Sequence, residues 1–170
     1  MKKVLFIILF TFSFLFICSD SCGKNPCEGF IKDEYYSFIS NEIKGTNLDS
    51  ILPFAILLTE NTSLDPNAKS KPNRNGSVDL GLFQINSLNL EYFEEMFWNG
   101  SNFDIMNWQH NSVVAVGYIN HLYDRFDGDL EKTAAAYNCG PGRVANGNIP
   151  DSTKKYVEKV MTNYYCLARL

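Results

Sequence analysis

The chain has 170 residues, a formal net charge of -4 and 45% apolar side chains. That length fits one domain with a leader, and that apolar content excludes a disordered chain. The mildly acidic balance argues against a general nucleic-acid binder.

Met1, Lys2 and Lys3 precede a run rich in Phe, Leu and Ile that ends at Ile17. A positive start followed by a short apolar stretch is the pattern of an export leader. The run falls short of the roughly 20 residues that a membrane-spanning helix needs. Ser19 and Ser21 are small and two apart, which suits cleavage before Cys22. An uncleaved leader would instead act as a membrane anchor. Cleavage removes Lys2, Lys3 and Asp20 and takes the formal charge from -4 to -5. No later segment is apolar enough to insert stably in a membrane.

Phe30 to Ile43 repeats apolar residues at helical spacing, and Gly45 to Asp49 breaks the pattern. Ser50 is placed to cap a second helix with Pro53 as its third residue. That helix runs through Ile56, Leu57 and Leu58 to Glu60. Asn61 to Asn75 reads as a loop. Gly76 to Ser87 fits either a turn entering a helix or a small strand. Leu88 to Asn107 is aromatic and mixed, broken by Asn99-Gly100. Gln109 to Phe126 carries an apolar face at Val113, Val116, Ile119, Leu122 and Phe126. Asp129 to Tyr137 is a further helix, ended abruptly by Asn138, Gly140, Pro141 and Gly142. After Pro150, Tyr156, Val157, Val160, Met161 and Tyr164 mark a final helix. The expected fold class is mainly α, with a small irregular or β region in the middle.

The cysteines are Cys18, Cys22, Cys27, Cys139 and Cys166. Cleavage before Cys22 leaves an even set, and an exported chain can form disulfides. Cys139–Cys166 with Cys22–Cys27 is one of the three full pairings open, and the expectation is that no free thiol remains. There is no CxxC pair and neither histidine lies near a cysteine, so no metal is expected.

Glu60 closes a packed apolar run. A carboxyl beside a core has a raised pKa, because desolvation disfavours its charged form. That is the property a general acid needs near neutral pH. A solvated glutamate on an amphipathic helix is the alternative, and periodicity alone favours it. The surrounding blocks reverse the balance. Glu60-Asn61-Thr62-Ser63 leads to Pro66 and Ala68. Gly81-Leu82-Phe83-Gln84-Ile85-Asn86 follows. Ala136-Tyr137-Asn138-Cys139-Gly140 comes next, preceded by Asn111 and succeeded by Tyr156-Val157.

In this order the blocks resemble the soluble-lytic-transglycosylase-like family, especially its small exported members that accompany secretion and conjugation machinery. Two positions depart from it: Asn61 stands where a serine is usual, and Cys139 where alanine is usual. The resemblance implies a lysozyme-like helical domain. The resemblance spans roughly residues 50–165, so with the leader at 1–21 the chain divides into that leader, an N-terminal extension with the first helix at 22–49, and a catalytic region at 50–170. It implies action on peptidoglycan glycan strands outside the cytoplasm, at the β-1,4 link from N-acetylmuramic acid to N-acetylglucosamine, with a 1,6-anhydro product and no cofactor. Glu60 would be acid and then base, with Tyr137 in support. Ser63, Gln84, Asn86 and Asn138 would contact substrate, with backbone bracing as the alternative for Gln84 and Asn138. Gly81, Gly140, Gly142 and Tyr156 would be structural. Asp79 lies where animal-type lysozymes carry a second carboxylate, so hydrolysis by Glu60 and Asp79 stays open. A wall-binding or assembly protein without chemistry is the rival from another class. A secretion or conjugation apparatus is the partner the resemblance suggests.

Overall fold

The computed structural model describes residues 31–169. The leader, Cys18, Cys22 and Cys27 lie outside the described residues, as does the start of the helix expected from Phe30. The elements run α1 (Asp33–Ile43), α2 (Leu52–Glu60), β1 (Asp79–Leu80), β2 (Ile85–Asn86), a 3-10 turn (Ser87–Asn89), α3 (Leu90–Phe97), α4 (Trp108–Arg125), α5 (Leu130–Cys139), α6 (Pro141–Ala145) and α7 (Asp151–Leu167). This is a mainly helical domain with a small two-stranded region in the middle, as its sequence predicts.

α2 is the centre of the fold. Every residue from Leu52 to Leu58 is buried, so the helix has no solvent face. Each large apolar side chain buried there contributes about 1.5–3 kcal/mol. Its N-terminus is not capped by Ser50. The Asp49 carboxylate accepts from the N–H groups of Ile51 at 2.9 Å and Leu52 at 3.1 Å. The helix therefore begins at Leu52 and places Pro53 in its first turn, where no N–H is missed.

α2 packs along α7, which also packs against α5; α4 joins α5 to α1 and α3. α1 buries Tyr35, Ile39 and Ile43, one face at four-residue spacing. Tyr35 meets the Trp108 ring edge-on at 4.9 Å. Asn107 caps α4 by accepting from Gln109 and His110 N–H groups. α3 arises in the stretch that reads as aromatic and mixed. It buries Phe93 against Tyr118, ring centres 5.0 Å apart, while Tyr92 and Met96 remain exposed.

The break after α5 is not a stop. Gly140 takes φ +88°, and Pro141 opens α6 at once. Proline suits the first turn of a helix and glycine the left-handed position before it. Gly142 has no such duty: its φ is not positive and a Cβ there would meet nothing within 4 Å. The backbone requirement expected of Gly142 belongs to Gly140.

The Cys139–Cys166 pairing does not form. Cys139 is a free thiol, and Cys166 is disulfide-bonded to another partner. The end of α5 is tied to the start of α7, where Thr153 Oγ1 donates to Asn138 Oδ1 at 2.8 Å. Cys166 lies near the opposite end of α7, roughly 20 Å further at 1.5 Å per residue. A disulfide needs Cα atoms within about 7 Å. Among the described residues, no helix is long and apolar enough to cross a membrane.

Candidate active site

The Gly81–Gln84 segment is the turn of an antiparallel hairpin that pairs Asp79 with Asn86 and Leu80 with Ile85. Gly81 has φ +72° and Gln84 φ +51°. The fully buried Asn111 of α4 pins this turn. Its Oδ1 accepts from Phe83 N–H at 2.8 Å, and its Nδ2 donates to the carbonyls of Leu80 at 3.0 Å and Ile105 at 3.2 Å. Tyr137 of α5 braces the same turn, its hydroxyl donating to the Phe83 carbonyl at 2.9 Å. Tyr137 thus positions the turn instead of bonding to Glu60. Burial, then the nearby Glu60 charge, push its hydroxyl well above the usual tyrosine range, so it stays a donor.

Glu60 ends α2 half-buried, and its Oε1 accepts from the Tyr156 hydroxyl at 2.7 Å. Its pKa is raised from 4.5 to about 7. Burial is the main cause. The Tyr156 bond opposes it by favouring the charged form, and the Asp79 charge adds to it. The carboxyl is therefore about half protonated near neutral pH.

Asp79 is held from both sides. Asn86 Nδ2 donates to its Oδ1 at 2.7 Å, and Asn73 Nδ2 approaches its Oδ2 at 3.3 Å. Two amides fix the orientation of this carboxylate. A cavity of about 480 Å³ brings these groups together, with Glu60, Asp79, Gln84, Asn86, Tyr137 and Asn138 in its wall. That volume lies within the range of about 300–1,000 Å³ common for ligand clefts.

Residues 37–159 match the transglycosylase SLT domain. The chain belongs to the SLT-domain family. It is 30% identical over 118 residues to invasion protein IagB of Salmonella typhimurium, covering 69% of each chain. It is 27% identical over 134 residues to an Alteromonas protein provisionally named for tributyltin chloride resistance, covering 76% of this chain and 60% of that one. In fold it is similar to the 70 kDa soluble lytic transglycosylase SLT70 of Escherichia coli, with a TM-score of 0.68 and 24% identity over 78% of this chain and 24% of that one. The chain thus spans under two thirds of the Alteromonas protein and about a quarter of SLT70.

The SLT blocks do different jobs in this domain. Gln84 braces its own turn, donating to the Gly81 carbonyl at 2.8 Å while lining the cavity. Asn138 accepts from Thr153 and also reaches the cavity wall. Ser63, expected at substrate, does not line this cavity. Its hydroxyl turns to Asn61 Oδ1 at 2.9 Å, a short local bond that a serine just past a helix end readily makes. Asn61, the departure from the usual serine, is buried and staples this turn through its Nδ2 to the Asp65 carbonyl at 2.8 Å.

The sequence reading gives Tyr156 another role and passes over Asn73. Tyr156, expected to be structural, is the direct partner of Glu60. A large tyrosine on the inner face of α7 needs somewhere to put its hydroxyl, and that need was the available signal. Asn73 sits in a loop with no pattern to mark it. Cys139 also lines the cavity, beside Asn138 and Gly140.

Proposed function

We propose that this protein is a lytic transglycosylase that cuts peptidoglycan between N-acetylmuramic acid and N-acetylglucosamine. The observation that carries this reading is a carboxyl with a pKa of about 7, hydrogen-bonded to Tyr156 in the wall of a cleft. Protonated Glu60 gives its proton to the glycosidic oxygen as the C1–O bond breaks, and the bonding electrons leave with that oxygen. Positive charge develops at C1 and the ring oxygen. The Glu60 carboxylate then takes the proton from the C6 hydroxyl of the muramic sugar, whose oxygen closes on C1. A 1,6-anhydro ring forms, Glu60 regains its proton, and no water enters.

Asp79 serves in this scheme as a fixed negative charge facing the cation. Its two amide partners occupy both oxygens, which favours electrostatic stabilisation over attack on C1. Its place in the same cavity wall also supports the second reading, hydrolysis by Glu60 and Asp79.

The same proposal includes export by residues 1–21, with 50–170 as the catalytic region. The likeness to a protein named for invasion supports local wall opening for a secretion or conjugation apparatus. Mass spectrometry of a digest of purified peptidoglycan tests the reaction. Non-reducing muropeptides with 1,6-anhydro ends are expected. Reducing ends alone would assign the protein to hydrolysis, and no released fragments would leave a wall-binding role.

A further inference from the structure

The cleft does not end at the Glu60 cavity. A second hollow of about 330 Å³ adjoins it, and the two share Asn89, Phe93, Tyr118 and Gly140 as common wall. Their charges are opposite in kind. The first is lined by Glu60 and Asp79 and by no lysine or arginine; the second is lined by Arg125 and by no carboxylate. His121 and Tyr92 stand in the second wall as well, and Tyr92 is 43% exposed, so the hollow is open at that rim.

We propose that this second hollow is a subsite for a carboxylate of the peptide stem carried by muramic acid, with Arg125 as its ligand. The proposal rests on the glycan reading above and names the part of the substrate it would recognise. A peptidoglycan strand is uncharged along its sugars and carries its carboxylates on the stems. Glu60 and Asp79 would repel a stem laid in the first cavity. Arg125 offers a planar fork that matches a carboxylate.

Arg125 is exposed and free to take such a partner. The ion pairs among the described residues are Lys32–Glu34, Lys132–Asp129 and Lys154–Asp151, and none involves it. Its charge is felt at the shared wall. Burial and then Tyr92 push the Tyr118 hydroxyl up to about 12, and Arg125 is the cation that pulls against them. A cation in the last turn of α4 also complements the helix dipole. That accounts for an arginine at this end of the helix but not for an open hollow in front of it. With the stem at Arg125, the strand would lie across Tyr118 and Phe93 in one direction only.

The test uses the full chain carrying Glu60→Gln, so that binding is read without cleavage. Fluorescence anisotropy compares labelled glycan strands bearing peptide stems with the same strands after carbodiimide coupling has capped their stem carboxylates as neutral amides. The expected result is roughly tenfold tighter binding of the uncapped strands, the size of one charge-assisted pair at a partly exposed site. Adding Arg125→Gln should bring the ratio near one, and Arg125→Lys should restore part of it. A role confined to the helix end would move the melting temperature and leave the ratio unchanged. Equal affinities in the parent, an unchanged ratio in Arg125→Gln, or no binding of either strand would overturn the subsite. Strands that bind with the expected ratio but are not cut by the wild type would overturn the reaction and leave the subsite standing.

Discussion

Glu60→Gln is expected to fold and to lower fragment release from purified peptidoglycan by about a thousandfold, within the range for loss of a general acid. The amide has nearly the same volume, and its oxygen can still accept the 2.7 Å bond from Tyr156. It cannot donate an acidic proton or take one back, so both steps at one position are lost. The variant should also be more stable than wild type in alkaline solution. The folded pKa of about 7 lies above the ordinary 4.5. The folded state therefore binds more protons than the unfolded state between those values, and stability falls as pH rises through that window. Below about pH 4.5 the group makes no difference, and above pH 7 it costs up to about 3 kcal/mol. Calorimetry at pH 5 and pH 8.5 should show a melting-temperature advantage for the glutamine variant that grows with pH. Full turnover by the variant would remove Glu60 from the mechanism.

Gly81→Ala is the substitution with the largest expected effect on the fold. A left-handed φ of +72° is unfavourable for alanine, by about 1–2 kcal/mol. The new Cβ would stand 2.4 Å from Asn111 Nδ2 and 3.1 Å from the Ile105 carbonyl oxygen. Asn111 would have to move, and it makes three buried bonds worth about 1 kcal/mol each. The combined loss is about 3–5 kcal/mol, a fall in melting temperature of roughly 10–20 °C for a domain of this size. Activity measured well below that temperature should fall too, because the turn carries Gln84 and the carbonyl that holds Tyr137. A melting temperature within about 2 °C of wild type would show that the turn has room for a side chain.

The helices that could be read from the chain are α1, α4 and α7 by their apolar stripes, α2 by its apolar run and α5 by its alanines. α3 escaped although Leu90, Phe93 and Phe97 recur at helical spacing with Glu91, Glu94 and Glu95 between them, because its stripe spans only eight residues of a longer aromatic stretch. The hairpin was ambiguous because strands of two residues are too short to show alternation. At the site, motif order brought out Glu60, Asp79, Gln84, Asn86, Tyr137 and Asn138, and all of them line one cavity. Motif order did not show which of them touch. Tyr156 meets Glu60 across 96 residues of chain, and only the packing of α7 on α2 creates that bond. Ser63 does not line that cavity, because a local turn takes its hydroxyl. The even cysteine count could not choose among the three pairings, because it says nothing about which helix ends are neighbours, and Cys139 stays a free thiol.

Near neutral pH the fold holds Glu60 about half protonated. A ¹³C NMR titration of its side-chain carboxyl measures this directly. The expected midpoint is about 7, moving higher in Tyr156→Phe, where the bond that favours the charged form is gone. A midpoint near 4.5, unmoved by that substitution, would mean that burial does not keep the proton on Glu60.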